Sequence, residues 1–296
     1  MEKIKNRNEL FEDLNGQKFA RTFLESVIQK KRINTAYLFS GPNGVGRKLT
    51  ALRFLEGLLN DGQTSIKDRR RLETCNHPDL LWIEPTYKNQ GKLITKSKSK
   101  ENEFNEKTPP IIRLEQIREV TSFLGKKPIE AKLGMVVIDG VETMAEAAAN
   151  ALLKTLEEPG NGVLILITSR PEKLLQTILS RCQLIPFYPL NKDDFKKVII
   201  KQANDSISEM ELKKVFNEKE LNILSNGSPG SLIENIKMWN DIPNNLWPRL
   251  KDLPQKSIDS LSLAKDITET MNVEQQIWLI NWLQINLWEQ KYNSIS

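Results

Sequence analysis

A glycine-rich stretch near residue 45 carries the residue types that hold a phosphate group. Residues 41–50 read GPNGVGRKLT; a short apolar run precedes them, and a helical pattern follows at residues 52–59. The sequence therefore predicts a strand, a glycine-rich turn and a helix, the context of a phosphate-binding loop. In such a loop Gly41, Gly44 and Gly46 let successive backbone N–H groups converge on one anion at the positive end of the helix.

The two positions that would carry the chemistry of this loop hold other residues. A nucleotide-binding loop has Lys directly after the last glycine, where it reaches the terminal phosphates, and then Ser or Thr, which ligates magnesium. Here those positions are Arg47 and Lys48. Arg47 keeps a positive charge but presents a wide planar fork, and the two cations are not interchangeable at a shaped site. Taken alone, the stretch also fits an ordinary glycine-rich turn.

A second candidate position lies at the end of a later apolar run. Residues 134–139 read GMVVID, which predicts a buried parallel strand with Asp139 at its carboxyl edge. In nucleotide hydrolases an Asp at this edge holds magnesium, and a Glu beside it polarises the attacking water. The next residue is Gly140, and Glu142 and Glu146 are close but out of register. This half of a hydrolytic site is therefore also predicted to be incomplete.

Composition indicates a soluble globular protein of two or three domains. The chain has 296 residues, a net charge of +5 and two cysteines, Cys75 and Cys182. The charge is a mild bias toward polyanionic partners, and two cysteines make no disulfide framework, which favours a reducing cytoplasm. No apolar run approaches the ~20 residues that span a bilayer. The first residues lack the apolar core of a signal peptide, so we expect no membrane partner and a cytoplasmic location.

No closed metal site is predicted. Cys75 and the only His, His77, are near each other in the chain, but they are two ligands where a structural zinc site takes four. The segment is better explained as a turn before a strand at residues 80–83. We therefore expect no zinc.

The order of the predicted elements indicates an α/β region followed by helices. Strands alternate with helices through residue 189, which predicts a parallel sheet; residues 190–240 predict a small helical lid, and residues 241–296 a short all-helical C-terminal domain. Residues 88–107 are rich in polar and charged side chains and predict a flexible surface insertion. Residues 277–288 are apolar nearly all round, so this helix is expected to be buried, in an internal core or against another subunit.

Several separated stretches together resemble one family, the AAA+ subunits of the bacterial sliding-clamp loader, and among these the delta-prime subunits. The resembling stretches occur in family order, at residues 36–46, 112–118, 136–139, 147–159, 168–175, 180–182 and 227–230. The block NALLKTLEEP at 150–159 and the triplet SRC at 180–182 are specific to clamp-loader subunits. A chance glycine-rich loop would not bring these blocks with it.

The resemblance implies a fold and a division of labour. The fold would be an AAA+ α/β domain of the P-loop type, followed by a helical lid and a C-terminal collar domain. The chain would hold no cofactor and would not hydrolyse ATP, while neighbouring subunits hold ATP and magnesium. Arg181, in the SRC triplet, would reach in trans into the ATP site of a neighbouring motor subunit and neutralise charge on the transferring phosphoryl group. Thr168, Ser169 and Ser231 occupy sensor positions.

The partners follow from the same resemblance. They are the motor subunits of the gamma/tau type, the delta type subunit, the sliding clamp through the assembly, and primed DNA, within the DNA polymerase III holoenzyme during DNA replication. The sequence departs from the family in three respects. Only Cys75 stands where many relatives have a four-cysteine zinc module, Ser231 stands near the Arg of motor subunits, and the region left for a collar is short.

Two other functions remain open at this point. An active AAA+ ATPase, either a motor-type clamp-loader subunit or a helicase loader, would have to tolerate Arg47, Lys48 and Gly140. A nucleic-acid-binding module without a link to ATP would fit the basic charge, but the SRC triplet argues against it.

Overall fold

The computed structural model describes residues 10–89, 92–99, 108–206, 219–254 and 256–293. These residues divide into two compact units, one formed by residues 10–89, 92–99 and 110–190, the other by residues 108–109, 191–206, 219–254 and 256–293. The strands, in chain order, are β1 (Ala36–Ser40), β2 (Leu80–Ile83), β3 (Thr86–Asn89), β4 (Lys92–Thr95), β5 (Gly134–Asp139), β6 (Gly162–Thr168) and β7 (Gln183–Pro186). The helices of the first unit are α1 (Lys18–Lys30), α2 (Arg47–Leu59), α3 (Ile66–Glu73), α4 (Lys96–Ser99), α5 (Leu114–Leu124), α6 (Glu146–Glu157) and α7 (Gln176–Leu179).

Five parallel strands form the centre of the first unit. Their order is β2-β5-β6-β1-β7, and each neighbouring pair is parallel. Successive side chains of a strand point to opposite faces, so Tyr37 and Phe39 enter one core with α1 and α2, while Leu38 enters the other with α5 and α6. Because helices cover both faces, all seven residues of β6 are buried. The predicted α/β parallel-sheet architecture is confirmed.

A two-stranded antiparallel hairpin, β3–β4, precedes the short helix α4. The prediction of a flexible insertion at residues 88–107 is therefore wrong for its first part. Thr86 pairs with Thr95 and Tyr87 with Ile94, so β-branched and aromatic residues supply the cross-strand pairs that stabilise a hairpin. Residues 90, 91 and 100–107 lie outside the described residues.

The helix α3 was not foreseen from its strongly charged sequence, IKDRRRLE. The hydroxyl of Ser65 caps it by accepting the backbone N–H of Asp68 at 3.2 Å. Its charges are paired with the core helix α2, since Arg69 contacts the fully buried Glu56 at 2.8 Å and Arg53 contacts Glu73 at 2.7 Å. These ion pairs and one buried side chain, Leu72, hold this helix in place of a continuous apolar stripe.

The second unit is helical throughout its described residues. Its helices are α8 (Lys192–Ser206), α9 (Lys219–Ser225), α10 (Pro229–Asp241), α11 (Trp247–Lys251), α12 (Ser257–Thr270) and α13 (Val273–Asn293). Its core combines buried Leu and Ile side chains with a tryptophan cluster, in which ring centroids are 4.0 Å apart for Trp239–Trp247 and 5.8 Å for Trp239–Trp282. The indole of Trp278 donates to Asn235 at 3.0 Å, so one core joins residues on either side of position 240. The predicted boundaries at 189/190 and 240/241 stay predictions.

The helix α13 was predicted to be buried, in an internal core or against another subunit, and within its own unit only part of it is buried. Trp278, Leu279 and Trp282 are buried, but Ile277, Ile280 and Trp288 are each more than half exposed. An apolar sequence all round the helix thus packs only one face into the core of this unit. Within the described ranges, no helix combines the length and the apolar character needed to cross a membrane.

Candidate functional site

The glycine-rich loop lies between the carboxyl end of β1 and the first turn of α2. Gly46 precedes the helix with φ 101°, a left-handed conformation that favours glycine, and no side chain caps the helix. Gly44 is also left-handed, with φ 72°. A Cβ at Gly41 would collide with the backbone oxygen of Phe187. The three glycines identified in the sequence therefore have conformational or steric reasons to be glycine.

The side chain of Gln17 links this loop by hydrogen bonds to the segment that follows the edge strand β7. Its side-chain amide donates to the backbone oxygen of Val45 at 3.2 Å and to that of Tyr188 at 2.6 Å. Its carbonyl oxygen accepts the backbone N–H of Tyr188 at 3.1 Å. One buried side chain thus ties the loop to the segment after β7. Gln17 was not predicted as a site residue, because a single Gln before a helix belongs to no recognisable sequence motif.

Arg47 lies inside the site rather than in solvent, with 7% of its surface exposed. Its Nη2 donates to Oδ1 of Asn43, within the loop, at 2.6 Å, and its buried Nη1 has no hydrogen-bond partner among the described residues. Burial lowers the pKa of the Arg47 guanidinium below its ordinary value, while the nearby carboxylates of Asp139 and Glu142 oppose that shift. The guanidinium of Arg47 is therefore buried beside the loop and donates a hydrogen bond to a loop residue.

Lys48 forms an ion pair with Asp139. Its Nζ lies 2.7 Å from Oδ2 of Asp139, and the side chains are 59% and 16% exposed, respectively. The residue at the position of a magnesium-binding hydroxyl thus contacts the carboxylate that would share the metal. An ammonium group already supplies the positive charge at that carboxylate.

The strand β6 lies between β1 and β5 and brings the sensor positions to the same edge of the sheet. The Oγ of Ser169 donates to Oε1 of Glu142 at 2.6 Å, and its backbone N–H donates to the same oxygen at 3.1 Å. Burial disfavours the Glu142 carboxylate, but hydrogen bonds from Ser169, Thr168 and the backbone of Glu142 together outweigh it and hold the pKa of Glu142 below its ordinary value. The buried hydroxyl of Thr168 accepts the backbone N–H of Arg170 at 3.1 Å.

The backbone conformation at Gly140 disfavours a carboxylate residue directly after Asp139. It is left-handed, with φ 72°, and a Cβ there would lie 3.2 Å from Cγ of Pro85. A Glu at this position would be strained by its backbone conformation and crowded by Pro85. Glu142, although close to Arg47, is engaged by Ser169. Only Oε1 of Glu142 is engaged in this way, and its buried Oε2 has no hydrogen-bond partner among the described residues.

Arg181 lies between α7 and β7 and contacts α6 and α7 rather than the loop. Its Nη2 donates to Oε1 of Glu157 at 2.8 Å, and its Nη1 donates to the backbone oxygen of Thr177 at 3.1 Å. Its side chain is 38% exposed. Arg181 is thus an accessible cation at the edge of the first unit. Glu157, its partner, was quoted within the family block but not identified as part of a site.

Ser231 belongs to the second unit, where it lies in the first turn of α10 and its backbone N–H contacts the hydroxyl of Ser228 at 3.4 Å. Cys75 is exposed and Cys182 is half-buried. Among the residues that the structure describes, no group of three or more His, Cys, Asp or Glu is placed to hold a metal ion.

The parallel sheet, the glycine-rich loop after β1 and Asp139 at the end of β5, which β6 separates from β1, define a protein with an AAA+-like fold. A sequence profile described as DNA polymerase III, delta subunit, matches residues 16–191, and one described as cyanobacterial DNA polymerase III delta prime, C-terminal domain, matches residues 194–296. The chain belongs to the DNA polymerase III delta/delta-prime clamp-loader family.

Individual relatives agree with this assignment. The DNA polymerase III subunit delta' of Bacillus subtilis is 33% identical over 185 residues, which is 60% of this chain and 50% of the relative. The subunit tau/gamma of Haemophilus influenzae is 32% identical over 183 residues, covering 60% of this chain and 23% of the relative. The chain thus spans half or less of these relatives. A DNA polymerase III gamma subunit-related protein from Thermotoga maritima superposes with a TM-score of 0.46 at 20% identity, covering 88% of this chain and 82% of that chain.

Proposed function

We propose that this chain is a delta-prime subunit of the DNA polymerase III clamp loader that has no ATPase site of its own and assists a neighbouring motor subunit through Arg181. Its partners are subunits of the gamma/tau and delta types, the sliding clamp through the assembly, and primed DNA. It works in the cytoplasm during DNA replication. ATP and magnesium are held by the neighbours, and this chain carries neither a nucleotide nor zinc.

The observation that carries the proposal is the ion pair between Lys48 and Asp139. In a nucleotide hydrolase the carboxylate at this edge and the loop hydroxyl hold one magnesium ion between the protein and the phosphates. Here Lys48 replaces the hydroxyl and places an ammonium on the carboxylate, so magnesium would have to displace a covalently tethered charge. Of the two protein groups that would hold magnesium, the loop hydroxyl is absent and the carboxylate of Asp139 is paired with Lys48.

Arg47 supports the same conclusion from the phosphate side of the loop. A loop lysine is a point charge that contacts the terminal phosphates, whereas the Arg47 fork is buried and donates to Asn43. Two cations, Arg47 and Lys48, face two carboxylates, Asp139 and Glu142. A motor site with its magnesium carries more positive charge against the same carboxylates. The site in this chain therefore has less positive charge with which to bind a polyphosphate, which carries several negative charges.

Arg181 supports the action in trans. It is exposed at the edge of the unit, its contacts stay outside the loop, and it lies in the SRC triplet. A guanidinium presents parallel N–H donors that match phosphate oxygens. Such a group, provided by a neighbour, stabilises the charge that develops on the transferring phosphoryl group.

The partner assignment is tested by purifying the tagged protein from its host and identifying what accompanies it. We expect subunits of the gamma/tau and delta types in defined stoichiometry, and no ATPase activity from this chain after it is separated from them. Recovery of the chain alone, or with helicase components instead, would contradict the assignment. Magnesium-dependent ATP hydrolysis by the separated chain would instead establish an active ATPase.

A further inference from the structure

The guanidinium of Arg181 is held at two points within its own chain. Nη2 contacts Oε1 of Glu157 at 2.8 Å, and Nη1 contacts the backbone oxygen of Thr177 at 3.1 Å. Glu157 is the last residue of α6, and Thr177 lies in α7. The fork therefore bridges two helices, and both of its terminal nitrogens are engaged. These are the nitrogens that phosphate oxygens would use in a bidentate contact.

The position of Glu157 is unfavourable for the helix that carries it. A carboxylate in the last turn of a helix faces the partial negative charge of the unpaired carbonyl groups. Glu157 is half exposed and is not among the buried residues of α6. Helix stability and core packing thus give no reason for a carboxylate here, whereas the contact with Arg181 does.

The contact between Glu157 and Arg181 is weak enough to be reversible. The two side chains are 53% and 38% exposed, and an exposed ion pair of this kind shifts a two-state balance by at most about fivefold. A triphosphate offers several charged oxygens in place of one carboxylate oxygen, and bidentate pairs of arginine with phosphate are among the strong charge-assisted contacts. ATP in a neighbouring site therefore competes for Arg181 on favourable terms.

We propose that Glu157 is a positioning residue for Arg181, holding the guanidinium on its own chain until the phosphates of a neighbouring subunit's ATP displace it. This inference rests on the proposed function of Arg181. Glu157 thereby acts as a brake on ATP hydrolysis in the assembly, because its carboxylate competes with the phosphates for the guanidinium. Neutralising the carboxylate releases the guanidinium early.

The test uses the loader reconstituted from this chain with its gamma/tau and delta type subunits. Steady-state ATPase is measured with and without clamp and primed DNA for the wild type, Glu157→Gln, Arg181→Ala and the double variant. Glu158→Gln is the matched control, because Glu158 is the next exposed residue and has the same side chain. Gel filtration and thermal melting monitor assembly and folding.

We expect Glu157→Gln to raise the ATPase rate without clamp and DNA by about two- to fivefold, the range that an exposed ion pair supports. Glu158→Gln should leave it unchanged, and Arg181→Ala should abolish the effect of Glu157→Gln in the double variant. The wild-type rate without clamp should also rise with salt, which screens the pair, and Glu157→Gln should flatten this dependence.

Three outcomes separate this inference from the proposed function. If Arg181→Ala lowers the ATPase rate but Glu157→Gln behaves like Glu158→Gln, the positioning role is wrong and the arginine finger stands. If Arg181→Ala changes nothing, the proposed function itself fails. If Glu157→Gln prevents assembly while Glu158→Gln does not, Glu157 is an interface residue, and its role as a brake is overturned.

Discussion

The ammonium of Lys48 lies 2.7 Å from Oδ2 of Asp139, so a side chain of this protein contacts the carboxylate at which a nucleotide hydrolase holds magnesium. Because Lys48 is 59% exposed, water screens the pair, and it stabilises the fold by well under ~1 kcal/mol. Its consequence is functional rather than structural. The pair occupies a carboxylate that could otherwise bind a metal, yet it adds little to the stability of the fold. It can therefore be removed by substitution without unfolding the protein.

Nucleotide binding is expected to be weak. The wild-type chain should bind a fluorescent ATP analogue with magnesium at a Kd above about 1 mM, a binding free energy weaker than about −4 kcal/mol. The reason is that the loop lacks a lysine for the phosphates and a hydroxyl for the metal, while Lys48 engages Asp139. Micromolar, magnesium-dependent affinity would contradict this. A bound phosphate or sulfate would not, because the backbone N–H groups of the loop can still hold an anion.

Restoring both loop residues should restore binding but not hydrolysis. The double variant Arg47→Lys, Lys48→Thr should bind the analogue at least about tenfold more tightly, a gain of about 1.4 kcal/mol. The single variants serve as controls, since each supplies only the phosphate contact or only the metal ligand. Hydrolysis should stay absent because Gly140 provides no carboxylate. A double variant that binds no better than either single variant would show that the loop is closed for another reason.

Zinc should be absent from the purified protein. A structural zinc site takes four ligands. Among the described residues, no group of three or more His, Cys, Asp or Glu is placed to hold a metal ion. Metal analysis of protein made without a histidine tag should find well under one zinc per chain. A stoichiometric amount would contradict the expectation.

Asp79 should make the stability of the first unit depend on pH. Its carboxylate accepts the backbone N–H groups of Ile129, Glu130 and Ala131 at 2.6, 2.7 and 2.7 Å. Burial would raise the pKa of Asp79, but these hydrogen bonds outweigh it and leave the pKa below its ordinary value. Since the folded-state pKa is depressed, this stability is present above the ordinary pKa and is lost as the pH falls through the folded-state value.

The variant Asp79→Ala measures this contribution. It removes the charged acceptor of three partly buried N–H groups and should lower the free energy of unfolding at pH 7 by about 1–3 kcal/mol. The loss should shrink in acid, where the wild-type carboxylate is also protonated. Urea unfolding of both proteins at pH 7 and at low pH gives the comparison. An equal difference at the two pH values would assign the loss to packing instead of charge.

The sequence predicted the framework of the site better than its contacts. The apolar runs that became β1 and β5 end where the structure ends them, because buried parallel strands need nearly continuous apolar residues. The glycine-rich loop and Asp139 were recognised from that framework. The ion pair of Lys48 was not foreseen, since it depends on which strands are neighbours. The contact of Glu157 with Arg181 likewise joins helices that are separated in the chain.

The other differences between the predicted and the observed helices also depend on contacts between separate parts of the chain. The helix α3 has no apolar stripe and is held by ion pairs to α2, so periodicity alone could not reveal it. The helix α13 has apolar residues on all sides, yet only one face packs within its unit. An amphipathic pattern indicates which face is buried, and a helix that lacks the pattern gives no such indication.

The variant Arg181→Ala in the reconstituted loader tests the central claim, that this chain serves ATP hydrolysis in a neighbouring subunit. Arg181 is an exposed residue paired with Glu157, so folding and assembly should stay intact within about 0.5 kcal/mol. The exposed Arg32, in the segment before β1, provides the matched control Arg32→Ala. Arg181→Lys separates charge from shape, because a point charge should restore little if the planar fork is needed.

The decisive measurement is the steady-state ATPase of the loader with clamp and primed DNA. At the ATP site that Arg181 serves, the rate should fall by about 10³-fold or more, so the loader should retain only what its other sites sustain, while Arg32→Ala retains the full rate. Normal assembly with an unchanged ATPase rate in Arg181→Ala would contradict the account and leave Arg181 as a surface residue.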